Sequence, residues 1–293
     1  DSYDEYKNFL FGNEGRVEPD PSDVYSPIKL LPSLFAKSEA LHNSIDNWTP
    51  PSSMRVVQIA GWGIDTLATI KYFPRRTCAS IINCEDVLDQ SPVFTSNGDK
   101  TVVGPSAHYM ETGSQVEKYW ADLDSYNFNF NTNKEHADIF EVPNLLTFIE
   151  NLIQGNTTTD SIITSTEPEN TSSRLRISLL SPVSVDAYDS FGNHTGKVCP
   201  PSSEFCFAEE NIPNSSYWEI GEGKYLNIPE ANMDKIKLHG TGIGTFTYKS
   251  EKVLPDGTSV VSSFVDIPVT TQTQAEVTLN QPTQNTEHKI YVE

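Results

Sequence analysis

Two stretches of this chain hold residue types that could share a proton. In SPVFTSNGDKTVVGPSAHYM a strand-like run ends at Gly98 and is followed at once by Asp99; in NFNFNTNKEHADIFEVPNLLTFI a loop presents His136 ahead of a helical run. A carboxylate just past the carboxyl end of a parallel strand projects into the crevice where α/β folds carry out their chemistry. A histidine in a following loop can sit beside it. The carboxylate then fixes the imidazole tautomer, and the imidazole can take the proton of a serine hydroxyl. Asp99 and His136 therefore read as the acid and base of a nucleophilic triad, in the chain order acid then base. Each has a plainer reading: Asp99 as a turn former in Asn-Gly-Asp, and His136 as an exposed residue at a helix start with Asp138 as the cap.

Other residues carry weaker signals. His108 could serve as the base but follows no strand, and Ser106 in GPSAH lacks the strand-turn-helix setting of a nucleophile. Trp62 in GWG reads as a packing or pocket-wall aromatic and a candidate substrate contact. DAYDSFGNH gathers Asp186, Asp189, Asn193 and His194, but it lacks the spacing and distal Glu of a calcium loop, so a hairpin turn is expected and no metal. His42, His194, His239 and His288 are scattered singly and read as structural.

The elements that must position the pair fall in two regions. DSYDEYKNFLF has helical spacing at Tyr3, Tyr6 and Leu10. SPIKLLPSLFAKSEALHNSIDNW opens with a Ser-Pro helix start and has one apolar face through Leu34, Leu41, Ile45 and Trp48. MRVVQIAGWG, SPVFTSNGDKTVV and SYNFNFN read as strands, and VPNLLTFIENLIQ as a helix with Leu145, Ile149 and Ile153 on one face. Strands alternating with helices imply a mostly parallel sheet over residues 1–154. QGNTTTDSIITSTEPENTSS, residues 154–173, is polar and supplies a linker at 155–173. From 174 to 293 the pattern changes to short alternating strands (RLRISLL, VSVDAYD, KIKLHG, GTFTYKS, SVVSSFVDIPV, AEVTLN, HKIYV), with a hairpin cue at Asp256-Gly257. An antiparallel, immunoglobulin-like β-sandwich is expected there. The fold class is thus α/β plus all-β.

Forty acidic against twenty basic side chains give the 293-residue chain a formal charge of −20, which repels nucleic acid and anionic surfaces. No stretch is long and apolar enough to cross a bilayer. The cysteines fall in two local pairs, Cys78–Cys84 and Cys199–Cys206, without the spacing of a zinc ribbon, and read as two disulfides at an oxidising site, the plainer alternative being four free thiols in a cytosolic protein. Asn-x-Ser/Thr triplets at Asn47, Asn156, Asn170, Asn193 and Asn214 fit an exposed polar surface. Together these favour an extracellular or cell-surface protein.

At QIAGWGIDT, GDKTVVGPSA and EHADI with its closing helix, roughly residues 50–154, the chain resembles the lecithin:cholesterol acyltransferase-like branch of the α/β-hydrolases. The resemblance implies the C-terminal half of that fold, with Asp99 as catalytic acid and His136 as base. It further implies a cap or lid in about residues 1–50, lipid or ester substrates, and no cofactor. The chain departs from the family at the nucleophile: no G-x-S-x-G occurs in the 293 residues. The serine is expected upstream, and these residues alone are expected to be inactive. A monomer with peripheral association to a membrane or cell surface completes the expectation. The rival from another class is a noncatalytic adhesion or carbohydrate-binding protein, which exposed aromatics such as Tyr217 and Trp218 would favour.

Overall fold

The computed structural model describes residues 2–16, 18, 27–78, 84–180, 182–201, 205–231, 233–278 and 289–292, the side chains of 75–78, 84–87, 278 and 289–292 excepted. The chain divides into two compact units, Asp1–Val56 with Tyr72–Gln90, and Val57–Lys71 with Ser91–Glu293.

In the first unit, helix α1 (Tyr3–Phe11) starts on a capping box in which Ser2 Oγ accepts from Glu5 N and Glu5 accepts from Ser2 N, satisfying two orphan donors. It stops at Gly12, whose φ of 67° suits a residue without a side chain. Helix α2 (Pro32–Ile45) begins at Pro32 rather than at the expected Ser-Pro pair. Pro32 holds Leu31 extended, which puts the boundary there, and its ring is preorganised for the first helical position. Lys7 Nζ reaches Glu39 at 2.9 Å, and the rings of Phe11 and Phe35 meet edge to face. The apolar stripe of α2 exists but buries nothing among the described residues: Leu34, Leu41, Ile45 and the following Trp48 are half exposed or more.

The second unit opens with β1 (Val56–Trp62), β2 (Thr66–Cys78) and β3 (Cys84–Thr95), the last two pairing as a two-stranded sheet and contributing residues to both units. A short helix α3 (Gly104–Ala107), β4 (Val116–Asp122), helix α4 (Leu123–Phe130), a 3-10 turn (His136–Glu141), helix α5 (Pro143–Ile153) and β5 (Ile163–Thr164) follow. The strand order β1-β4-β5 makes a three-stranded sheet in which β4 and β5 run antiparallel.

Here SYNFNFN, expected as a strand, is helix α4. Its Phe-Asn alternation imitates a period of two, but Leu123, Tyr126, Asn127 and Phe130 also recur at helical spacing, and the first three are buried. Asp122 caps the helix by accepting from Ser125 N at 2.9 Å, and Asn131 ends it in a left-handed conformation. The strand of this region is the preceding VEKYWAD, β4. Helix α5 lies where expected, but its face turns by one position: Leu145 and Phe148 are buried, Ile149 and Leu152 pack beside them, and Ile153 is 82% exposed. With Ile64, Leu123 and Ile163, the side chains of Leu145, Phe148, Ile149 and Leu152 form one core.

The remaining strands are β6 (Arg174–Leu180), β7 (Val183–Asp189), β8 (His194–Val198), β9 (Phe207–Glu210), β10 (Ser216–Ile220), β11 (Gly223–Pro229), β12 (Met233–Gly240), β13 (Gly244–Val253), β14 (Ser259–Val269), β15 (Gln274–Thr278) and β16 (Lys289–Val292). They form two antiparallel sheets, β10-β11-β6-β13-β14 and β16-β15-β12-β7-β8-β9. Alternate residues of both sheets, such as Leu175, Ile177 and Leu179 of β6 and Val183, Val185 and Ala187 of β7, enter one shared core. Asp256-Gly257 turns β13 into β14, with Gly257 at φ 81° and Asp256 accepting from Thr258 N. The chain as a whole is therefore β-rich with several antiparallel sheets, in place of the mostly parallel sheet expected before residue 154.

Candidate functional site

Asp99 follows β3 in a turn that closes on its own carboxylate. Oδ1 accepts from Val102 N at 2.7 Å and Thr101 N at 3.2 Å, while Asp99 N donates to Val102 O. The turn is registered against the end of β1 by a parallel bridge between Ile64 and Asp99 and by Ile64 N donating to Gly98 O at 3.0 Å. Oδ2 is left for a third partner, and His136 supplies it: Nδ1 lies 2.8 Å from Asp99 Oδ2, and His136 N donates to Asp99 O. The carboxylate is buried, whereas the His136 side chain is 47% exposed, with no hydrogen bond at Nε2 among the described residues. A neutral imidazole held this way carries its proton on Nδ1 and offers the Nε2 lone pair outward.

The GWG run of β1 acquires a physical reason. A Cβ on Gly61 would stand 2.5 Å from Asp99 Cβ, and one on Gly63, at φ 101°, 2.5 Å from Asp124 Cβ. Both glycines clear space for carboxylate-bearing residues. Between them, Trp62 is almost fully buried and lines a cleft of about 570 Å³ with Ser96, Asn97, Glu167, Asn170 and Asp256 among others. Asp99 and His136 are not part of that lining, so the structure does not bring Trp62 into one cleft with the pair.

The loop carrying His136 is framed by side chains distant in sequence. Asn127 Oδ1 accepts from Lys134 N and its Nδ2 donates to Lys134 O, a pairing that imitates a strand ladder. Asn127 also meets Asn214, whose N donates to Asn133 Oδ1 and whose Nδ2 donates to Asp124. Asn214 is 2% exposed, so the expectation of an exposed polar surface at this Asn-x-Ser triplet fails: its amide is committed to buried hydrogen bonds. Lys100, next to Asp99, forms ion pairs with Glu135, next to His136, at 2.5 Å and with Glu210 of β9. Burial alone would lower the Lys100 ammonium; the two glutamates outweigh it and hold it above the usual lysine value.

A buried ion network lies behind β1. Arg174 of β6 donates to Gly63 O and to Asp124 Oδ1, the latter at 2.8 Å, and Arg176 pairs with Asp65 at 2.7 Å. Burial lifts the Asp124 carboxyl above its usual range against the pull of Arg174, and Asp122 and Asp65 add to the lift. Nothing in the local sequence signals Lys100, Glu135 or Glu210 as linked neighbours of the pair, or Arg174 as the partner of Asp124.

The other candidates separate cleanly. His108 is buried, with Nε2 2.9 Å from Tyr119 O and its ring edge-on to Trp120; burial lowers its imidazole below the ordinary range. Ser106 lies exposed in α3. Asp189 accepts from Phe191 N and Asn193 N and so builds the β7–β8 turn, while His194 sits between Glu209 and Asp186 at 2.5 and 2.9 Å. Among the described residues no group of three or more His, Cys, Asp or Glu is arranged to hold a metal ion. Cys199 and Cys206 are disulfide-bonded; the expected Cys78–Cys84 bond and His288 lie outside the described residues and side chains. Tyr217, whose exposure would favour the adhesion or carbohydrate-binding reading, is 7% exposed and donates from its hydroxyl to Glu219. It faces inward because β10 turns that side chain into the core shared by the two sheets. No described helix is long and apolar enough to cross a membrane. No family model matches the chain, and comparison with curated proteins and with solved structures finds no match either.

Proposed function

We propose that this chain carries the acid and base of a serine-dependent ester hydrolase or acyltransferase, with Asp99 orienting His136 and His136 taking the proton of a serine supplied by polypeptide outside these 293 residues. The single observation that supports the reading is the 2.8 Å contact between Asp99 Oδ2 and His136 Nδ1, in which a buried acceptor holds a half-exposed imidazole. The serine oxygen attacks the ester carbonyl as its proton passes to Nε2. The same proton then goes to the leaving alcohol, and water or a second alcohol resolves the acyl-enzyme by the reverse steps. On this reading the elements before residue 154 are the C-terminal half of an α/β-hydrolase of the lecithin:cholesterol acyltransferase-like branch, and the two later sheets an immunoglobulin-like sandwich. On the same reading about residues 1–50 are the cap or lid segment of that family, and the protein acts outside the cell on lipid or other acyl esters.

The test supplies the missing part. A strand, G-x-S-x-G turn and helix are joined upstream of residue 1, and release of p-nitrophenol from short- and long-chain acyl esters is followed. Turnover is expected with serine in the turn and is absent with alanine. A folded product that lacks turnover with several such segments contradicts the proposal, as does hydrolysis by the 293 residues alone.

A further inference from the structure

The residues flanking the acid and base are themselves tied together. Lys100 adopts φ 78°, a conformation unfavourable for any residue with a Cβ. Its backbone N donates to Thr66 Oγ1 at 2.8 Å, and its side chain is drawn inward to 15% exposure. There it meets Glu135 from the histidine loop and Glu210 from β9, more than 70 residues further along. Glu210 is fixed at three points: Oε2 on Lys100, Oε1 accepting from Tyr217 N at 2.6 Å, and its backbone O accepting from Asn133 Nδ2 at 2.8 Å. A single glutamate of the later sheets thus touches the residue after Asp99 and the loop leading to His136.

We propose that Glu210 is a positioning residue for the Asp99–His136 pair, so that the β9 edge of the later sheets is part of the catalytic framework. This rests on the acid–base reading given above. Without the Glu210 carboxylate, the Lys100 ammonium keeps Glu135 as its one carboxylate partner at a strained turn, and Glu135 gains freedom to move the His136 loop. A displacement of the imidazole well below one ångström already weakens the bond to Oδ2, because hydrogen bonds lose strength steeply with distance and angle.

The test follows the His136 Nδ1–H proton by NMR in the 293-residue chain with labelled histidine, comparing the native protein with Glu210→Gln and Glu210→Ala. Glu210→Gln keeps an oxygen for Tyr217 N while removing the charge. The expected result is solvent exchange of that proton roughly tenfold faster in both variants, with the His42 and His108 signals unmoved. An unchanged exchange rate in folded Glu210→Gln overturns the inference, and if Glu210→Ala does not fold, Glu210→Gln decides alone. Absence of a hydrogen-bonded Nδ1–H in the native protein contradicts the acid–base reading itself, which keeps the two failures apart.

Discussion

In the serine-complemented protein, His136→Ala is expected to cut kcat for ester turnover by roughly 10⁴-fold or more, and Asp99→Asn by a similar factor. The two losses arise differently. His136→Ala removes the group that accepts the serine proton. Asp99→Asn keeps the shape of the site but replaces an acceptor with an amide that can donate to Nδ1, which turns the imidazole to the tautomer with its proton on Nε2. The buried Asp99 carboxylate also stabilises the imidazolium that forms as the proton moves. His136 is half exposed, so water can reach Asp99 Oδ2 in its place and His136→Ala should melt within about two degrees of the native protein. The double variant should lose little beyond either single one, since residues acting as a unit are not additive. Additive losses, or kcat within tenfold of native for either single variant, would remove the pair from the mechanism.

The largest expected effect on stability is at Arg174. It is 3% exposed, donates to Gly63 O and pairs with Asp124, and lies 4.0 Å from Asp65. Arg174→Met leaves two buried carboxylates without that charge, a change expected to cost about 3–5 kcal/mol. Urea unfolding of each protein measures the cost directly. Its pH dependence has a definite sign. The Asp124 carboxyl already sits above its ordinary range because burial disfavours the anion, and Arg174 is what opposes that rise. Taking Arg174 away lifts the native value further, so the folded variant binds a proton that the unfolded chain has released. Its deficit should therefore shrink as pH falls through the native Asp124 value and be full above that value. A deficit that grows on acidification would show that the network is not organised around Asp124. Adding Asp124→Asn to Arg174→Met should recover part of the loss.

Local chemistry made some of this legible. Asn97-Gly98-Asp99 announces a tight turn, and His136 stands between a polar loop and the strongly periodic α5 segment, so both could be singled out from neighbours in the chain. The alternating strands after residue 173 were readable for the same reason: one face of each enters the core, which writes a period of two into the sequence. Where two periods fit equally, reading failed. The Phe-Asn alternation of α4 satisfies both, and the Asp122 cap decides it. Long-range pairings leave no local trace. Lys100 and Glu210 are 110 residues apart, and Arg174 and Gly63 are 111 apart. A lone Glu on an edge strand looks like any solvated carboxylate. Likewise Asn214 reads as a surface triplet, though its amide is spent on Asp124. The two glycines of GWG were visible as glycines, but their reason, the close approach of Asp99 and Asp124, exists only in three dimensions.

The most direct measurement on the central claim is which ring nitrogen carries the proton in the neutral form of His136, read by NMR from the ring nitrogens of the 293-residue chain. A hydrogen-bonded proton on Nδ1 and a bare Nε2 are expected, with the Nδ1 proton lost in Asp99→Asn while the strand signals stay in place. A proton on Nε2 with a bare Nδ1 in the native protein, or an Nδ1 proton indifferent to Asp99→Asn, would contradict it.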